Sequence, residues 1–308
     1  MSEHVIDLQG ITHGYGPKVV LSSLSLRVRK GEFLSLVGPS GCGKSTLFRL
    51  ITGEEKPQKG IVMVGGKPKD GPGPDVGIVY QAYTLFPHLT VLGNVIHALM
   101  VRDTSIPERV FPRFSSGFRG RVASVSKRAH EYLGMVKLAD SGKKYPDELS
   151  GGMRQRVAIA QALVMEPQIL LMDEPFGALD TFTREELQLD LRRVWEQTGM
   201  TILFVTHDLE EAIFVGTRIA VLSQHFHTDD PSHNGGSRIV MDIPIDFPPP
   251  RNSRLKESPE LNRVLERVRR NPALHGTRDM EILRAAKFVL EHPDSVRPVL
   301  AADPQAGN

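Results

Sequence analysis

One stretch constrains this chain more than any other: Gly38-Pro39-Ser40-Gly41-Cys42-Gly43-Lys44-Ser45, which matches G-x-x-x-x-G-K-[ST]. It follows an apolar run at residues 33–37 and precedes a helical pattern at residues 46–51, the strand-loop-helix context that the motif requires. Glycines let the loop turn successive N–H groups inward on phosphate oxygens, and the helix start adds partial positive charge. Lys44 has the length to reach β- and γ-phosphates, and the Ser45 hydroxyl is a ligand for Mg²⁺. With Thr46 at the helix start, residues 38–46 form the expected phosphate cradle. A chance glycine-rich turn has no reason to carry the lysine, the hydroxyl and both flanking elements together.

The remaining pattern fits an α/β fold. Leu24, Leu26 and Val28 alternate with Ser25, Arg27 and Arg29, as in a half-buried strand of an N-terminal antiparallel β subdomain. Gly14-Tyr15-Gly16 reads as a turn between two such strands. Short apolar runs at 33–37, 76–80, 169–172 and 201–205 suit strands covered on both faces. Leu187, Leu191, Val194 and Trp195 recur at helical spacing within 184–197, and strands alternating with helices argue a mostly parallel core sheet. Residues 90–165 hold three helix-like segments and no good strand, which predicts an inserted helical subdomain; within it 101–126 reads as a loop. Residues 224–250 read as a linker and strand, with Phe247-Pro-Pro-Pro-Arg251 as a boundary. The basic tail, 251–308, carries one amphipathic helix marked by Leu261, Val264, Leu265 and Val268.

Composition narrows the setting. Among 308 residues, 38 Lys+Arg against 36 Asp+Glu leave a net charge of +2, too balanced to imply a nucleic-acid partner by itself. The lone cysteine, Cys42, cannot form an internal disulfide, which suits a reducing compartment. No apolar run approaches the ~20 residues of a membrane span, and the first residues lack a signal-peptide core. Any service to a membrane is therefore expected from outside the bilayer.

Other groups gather at predicted strand ends. Asp173 and Glu174 follow the run at 169–172, where open α/β sheets bind ligands; Asp173 is suited to hold Mg²⁺, and Glu174 to take a proton from an attacking water. An acidic turn after any core strand is the plain alternative, and the phosphate loop weighs against it. Gln81 follows the run at 76–80 and can ligate the metal or the water. His207 follows the run at 201–205 and can hydrogen-bond a γ-phosphate and steady Glu174, although a lone His there is usually structural. Ser150, Gly151 and Gly152 open a helical run to residue 165: Ser150 as N-cap and two glycines make a second anion cradle, or simple capping, without a lysine of its own.

Taken in order, the phosphate loop, Gln81, Leu149-Ser-Gly-Gly152, Ile169-Leu-Leu-Met-Asp-Glu174, Gly177-Ala-Leu-Asp180 and His207 resemble an ABC-transporter ATP-binding subunit over roughly residues 4–223. The resemblance implies a P-loop NTPase fold, ATP and Mg²⁺ as ligands, and ATP hydrolysis. It implies that two cassettes, identical or paralogous, pair head to tail, so that Ser150, Gly151 and Gly152 of one close over ATP held by Lys44 of the other. Tyr15 matches the aromatic that stacks on adenine, and Asp180 the residue that communicates across the dimer. Where most of the family has Gln, this chain has Met153, whose thioether cannot donate a hydrogen bond.

Wording around the motifs, including residues 85–94, 148–157 and 207–212, resembles importers of the nitrate, sulfonate and taurine type. That branch implies transmembrane permease subunits as partners, a solute-binding protein reached through them, and a cytoplasmic position on the inner face of the membrane. Tyr83, Phe86 and His88 mark the segment where a short permease helix is expected to dock, with a core or turn role as the alternative. Arg251, Arg254, Lys256, Arg263, Arg267, Arg269 and Arg270 fall outside the resemblance; a solvated helix face is favoured over lipid-headgroup contact. A soluble ABC ATPase acting on nucleic acid or ribosomes is the competing class. Such proteins usually carry paired cassettes or coiled-coil or zinc insertions, and none is visible, so no nucleic acid is expected. A kinase built on the same loop fits the Ser-Gly-Gly motif and His207 less well.

Overall fold

The computed structural model describes residues 4–82, 84–103, 118–224, 235–248 and 251–271. An antiparallel sheet of order β2-β1-β4-β5 is built from β1 (His4–Tyr15), β2 (Lys18–Arg29), β4 (Lys59–Val64) and β5 (Lys67–Pro68). In β2, Leu24, Leu26 and Val28 are buried and Ser25, Arg27 and Arg29 exposed, as alternation requires. Because β1 runs on to Tyr15, the reversal falls at residues 16–17, one step beyond the turn expected at 14–16.

The second sheet has the order β10-β9-β3-β8-β7-β6. It contains β3 (Phe33–Val37), β6 (Val76–Val79), β7 (Ile169–Asp173), β8 (Thr201–Thr206), β9 (Arg218–Ser223) and β10 (Arg238–Pro244). All pairings are parallel except β10 on β9. Strands β3 and β8 are buried at every position. Phe33, Val37, Leu170, Met172 and Phe204 belong to one core, while Leu34, Leu36, Ile169, Leu171, Leu203 and Val205 belong to the other. Covering both faces explains why these strands read as continuous apolar runs rather than as alternation.

Between β6 and β7 lie α2 (Val91–Asp103), α3 (Phe118–Met135) and α4 (Gly151–Val164), which bury Val91, Val95, Leu99, Val125, Ala129, Leu133, Val157 and Ala160 together. Of the loop expected at 101–126, residues 101–103 instead complete α2 and 118–126 belong to α3, while 104–117 lie outside the described residues. Among the described side chains of α3, the stripe Val125, Ala129, Leu133 is buried, and polar neighbours such as Lys127 and Arg128 hide its period.

Two helices cover the strand ends: α5 (Thr181–Thr198), after β7, and α6 (Leu209–Val215), after β8. Asp208 caps α6 by accepting from the Glu211 N–H at 3.1 Å. The buried Glu211 carboxylate accepts from Thr206 Oγ1 at 2.6 Å and Gln188 Nε2 at 3.0 Å. Burial pushes that carboxyl above its ordinary range against the pull of those two hydrogen bonds.

After β10 the chain stays on the cassette. α7 (Pro259–Arg269) is capped by Ser258, which accepts from the Leu261 N–H at 3.2 Å. It buries Leu261, Leu265 and Val268 in the core that also holds Ile213 and Phe214. The solvated-face reading of the basic residues therefore fails for Arg251, which is 7% exposed, and holds for Arg263 and Arg267 on the outer side of α7.

Two outcomes test this packing. Leu261→Ala lowers the unfolding free energy by ~2–5 kcal/mol in urea, whereas Arg263→Ala stays within ~0.5 kcal/mol. For Glu211, the unfolded chain releases the proton first, so stability falls as pH rises from the ordinary carboxyl value of the unfolded chain through the raised folded value. Glu211→Gln removes that component, and its urea midpoint falls less than the parent's as pH is raised above the ordinary carboxyl range.

Candidate nucleotide site

The phosphate loop leaves β3 at Val37 and enters α1 (Lys44–Thr52). Gly38 lies so close to β9 that a β-carbon there would overlap the Leu222 carbonyl oxygen, so the loop's first position admits no side chain. Gly43, the N-cap of α1, has no side chain to occupy the helix start, which leaves that end suited to an anion. Lys44 is 9% exposed, and its Nζ donates to Gly38 O at 2.7 Å and Pro39 O at 3.1 Å, aiming the ammonium into the loop. Ser40, Gly41 and Ser45 are exposed, Pro39 is half-buried and Thr46 buried. Cys42 contributes main chain only: its side chain lies in the core, burial pushes its thiol up, and its N–H donates to Pro39 O at 3.3 Å. A close main-chain loop, an inward ammonium and an uncapped helix start fit the triphosphate of a nucleotide.

Strand register brings the other groups to the same edge. Val37 is opposite Thr206, and Asp173 is opposite Val205, so β3, β7 and β8 end together. Asp173 is half-buried; burial and then the charge of Glu174 raise its carboxyl, and Lys44 opposes them. Glu174 adopts φ +44°, a left-handed conformation that costs a non-glycine residue ~1–2 kcal/mol. Its N–H is held by Val205 O at 2.8 Å, and its Oε2 lies 3.1 Å from His207 Nδ1. Gln81 stands beside the same turn: a β-carbon on Gly177 would sit 3.2 Å from its Nε2. Lys44, Gln81, Asp173, Glu174 and His207 thus converge as the sequence suggests. Glu211, which escaped the sequence reading, supports them: it orders Thr206, whose Oγ1 in turn accepts from the Asp208 N–H at 3.1 Å, and His207 lies between those two residues. Its signal is the capping-box spacing Asp208-x-x-Glu211, although here the glutamate turns to Thr206 and Gln188 instead of back to the cap.

Tyr15 has an exposed ring, and its hydroxyl donates to Glu55 Oε2 at 2.7 Å, tying the tyrosine to the end of α1. Burial opposes ionisation of Glu55, but hydrogen bonds from Tyr15 and Arg49, with the charge of His13, hold its carboxyl below the usual range.

The second cradle opens from other elements. Ser150 caps α4, accepting from the Met153 N–H at 3.3 Å, and Gly151 is half-buried. α4 packs on α2, α3, α5 and β6, whereas α1 packs on β2 and β4. Gly152 lies against α5: a β-carbon there would overlap Thr183 Cγ2. Asp180 caps α5, accepting from the Thr183 N–H at 3.0 Å; that bond and the helix start hold its carboxyl below the usual range. Below them the buried Arg156 of α4 pairs with the buried Asp190 of α5, and Lys137 reaches the same carboxylate at 2.7 Å. Met153 packs against the core, so its thioether is a filler rather than a polar contact.

Comparison with known proteins identifies the family. The family model described as ABC transporter matches residues 21–177. A bicarbonate transport ATP-binding protein of Synechocystis sp. is 41% identical over 79% of this chain and 79% of its own length. An aliphatic sulfonates import ATP-binding protein of Bacillus licheniformis is 40% identical over 81% of this chain and 85% of its own. A nitrate import ATP-binding protein of Synechococcus elongatus is 40% identical over 76% and 77%. Among solved structures, a dimeric ATP-binding cassette in a post-hydrolysis state with ADP and Pi superposes with a TM-score of 0.59 at 30% identity, covering 79% of this chain and 99% of that one. The chain therefore belongs to the ABC transporter family, as an ATP-binding ATPase.

Proposed function

We propose that this chain powers an importer of a small oxyanion by hydrolysing ATP at a site completed by a second cassette. The observation that carries the reading is the convergence of Lys44, Asp173, Glu174 and His207 where β3, β7 and β8 end, with Glu174 held 3.1 Å from His207. The oxyanion class rests on the three relatives, whose names give bicarbonate, aliphatic sulfonates and nitrate.

In this reading residues 38–46 cradle the β- and γ-phosphates, and the Lys44 ammonium exchanges its bonds to Gly38 and Pro39 for phosphate oxygens. The exposed face of Tyr15 stacks on adenine. Ser45, Asp173 and Gln81 would hold Mg²⁺, and with no cluster of three His, Cys, Asp or Glu among the described residues, the ion would keep waters and phosphate oxygens. When bound, Mg²⁺ neutralises charge on those oxygens. Glu174 takes the proton of the attacking water, and His207 orients that carboxylate and hydrogen-bonds the γ-phosphate. Ser150, Gly151 and Gly152 of a partner cassette, with Asp180 beside them, close the phosphates from the far side, in line with the dimeric solved relative.

The membrane partner fits a cleft of about 610 Å³ between β6, α2 and α4, lined by Gly77, Ile78, Thr84, Val101, Gln161 and Met165. Phe86 is exposed nearby, with its ring 5.9 Å from His88 and 4.8 Å from His97, and offers an apolar edge to a permease helix. Tyr83, named for the same role, lies outside the described residues. No helix among the described residues is long and apolar enough to cross a membrane. In this reading the chain sits against permease subunits on the cytoplasmic face and reaches a solute-binding protein only through them.

Glu174→Gln is expected to retain ATP, lower phosphate release by ~10²-fold or more, and accumulate as a dimer in size-exclusion chromatography with MgATP. Undiminished turnover removes Glu174 from its role. Purification from detergent-solubilised membranes is expected to co-elute a permease that stimulates the ATPase; stimulation by RNA or DNA instead would favour the nucleic-acid class.

A further inference from the structure

The nucleotide reading leaves the segment after Pro248 unexplained, yet its first described residue is among the most enclosed cations of the molecule. The Arg251 guanidinium donates to Ile213 O at 3.1 Å, Phe214 O at 2.7 Å and Gly216 O at 2.7 Å, with Ile245 O at 3.5 Å. Every hydrogen bond it makes is to a main-chain carbonyl, and three of these lie at the C-terminal end of α6, where the helix dipole favours a cation. Burial, with the neighbouring charge of Arg192, lowers its pKa to about 9 against the pull of Glu196, and the carbonyls are the hydrogen-bond acceptors that fix the guanidinium in place. The other last carbonyls are also taken: Arg192 Nη1 donates to Val215 O at 3.0 Å, and Ser35 Oγ to Ala212 O at 2.8 Å.

The segment itself is anchored. Leu261, Leu265 and Val268 pack in the core with Phe214. Lys256 lies 3.2 Å from Glu185 of α5, 3.9 Å from Glu210 of α6 and 5.1 Å from the Phe214 ring. At its other end α6 is fixed by Asp208 and by Glu211, which bonds Thr206 and Gln188. A seven-residue helix, ~10 Å long, is thus clamped at both ends, and His207 stands immediately before it.

We propose that Arg251 is a positioning residue for hydrolysis: by fixing the C-terminal end of α6 it holds His207 against Glu174. The proposal rests on the role given to His207 above. It predicts a defect in turnover rather than in nucleotide binding, because the phosphate loop and Lys44 are carried by β3 and α1.

The test uses the full chain with Arg251→Ala, Arg251→Lys, His207→Ala and the Arg251→Ala/His207→Ala pair. Folded fraction is measured by near-ultraviolet circular dichroism, affinity with a fluorescent ATP analogue, and turnover by phosphate release per folded molecule. The expected result is a kcat about tenfold lower for Arg251→Ala, an intermediate value for Arg251→Lys, and KM and affinity within about twofold of the parent. The double variant is expected to be no slower than His207→Ala alone, since both changes disable one unit. The proposal is overturned if kcat per folded molecule is unchanged, if affinity and kcat fall together, or if the two losses multiply. Failure of even Arg251→Lys to fold also overturns it, making the residue purely structural. Full turnover in His207→Ala would defeat the reading of the site itself and this proposal with it, whereas a slow His207→Ala beside normal Arg251 variants defeats the proposal alone.

Discussion

Burial of β3 on both faces is the constraint from which the rest follows. A strand with neither face in water carries apolar side chains to its last residue and releases the chain only where the sheet ends. Its one polar residue, Ser35, is satisfied by the Ala212 carbonyl, which also ties the strand to α6. At that edge Gly38 fits against the Leu222 carbonyl, and the register of β7 and β8 delivers Asp173 and Thr206 to the same line. The chemistry is therefore a property of where the sheet stops. A one-residue slip of β8 would send His207 away from Glu174 as surely as its deletion.

The edge also concentrates strain and charge. Glu174 keeps a positive φ because its N–H is claimed by Val205 and its carboxylate by His207. Asp173 is raised by burial and by its neighbour, a conflict that Lys44 only partly offsets. Neither arrangement favours a quiet folded core, and backbone strain and perturbed carboxyls of this kind cluster at functional sites.

Much of this was legible in the sequence, and what was not has physical reasons. Residues 38–45 and the pair Asp173-Glu174 announce themselves because their chemistry needs fixed local spacing beside a buried strand. The sequence predicts three helix-like segments between 90 and 165, but the start of α3 reads as loop because polar and small residues there show little period. Arg251 reads like Arg263, yet one is sunk among carbonyls and the other lies in water; charge in a sequence carries no depth. Glu211 was overlooked since its partners Thr206 and Gln188 are brought together only by the packing of α5 on α6. Ser150 reads as a helix cap and is one, whereas Asp180 reads as a residue offered to a neighbour, and the structure adds that it first caps its own helix.

Those two caps belong to helices joined without slack. The bare α-carbon of Gly152 rests on Thr183, and the Arg156–Asp190 pair closes the same seam further along. Ser150 and Asp180 are therefore held at a fixed spacing rather than carried on independent loops. Anything that meets both must do so at that spacing, and a graft of either helix from a sister protein would need its opposite number to travel with it.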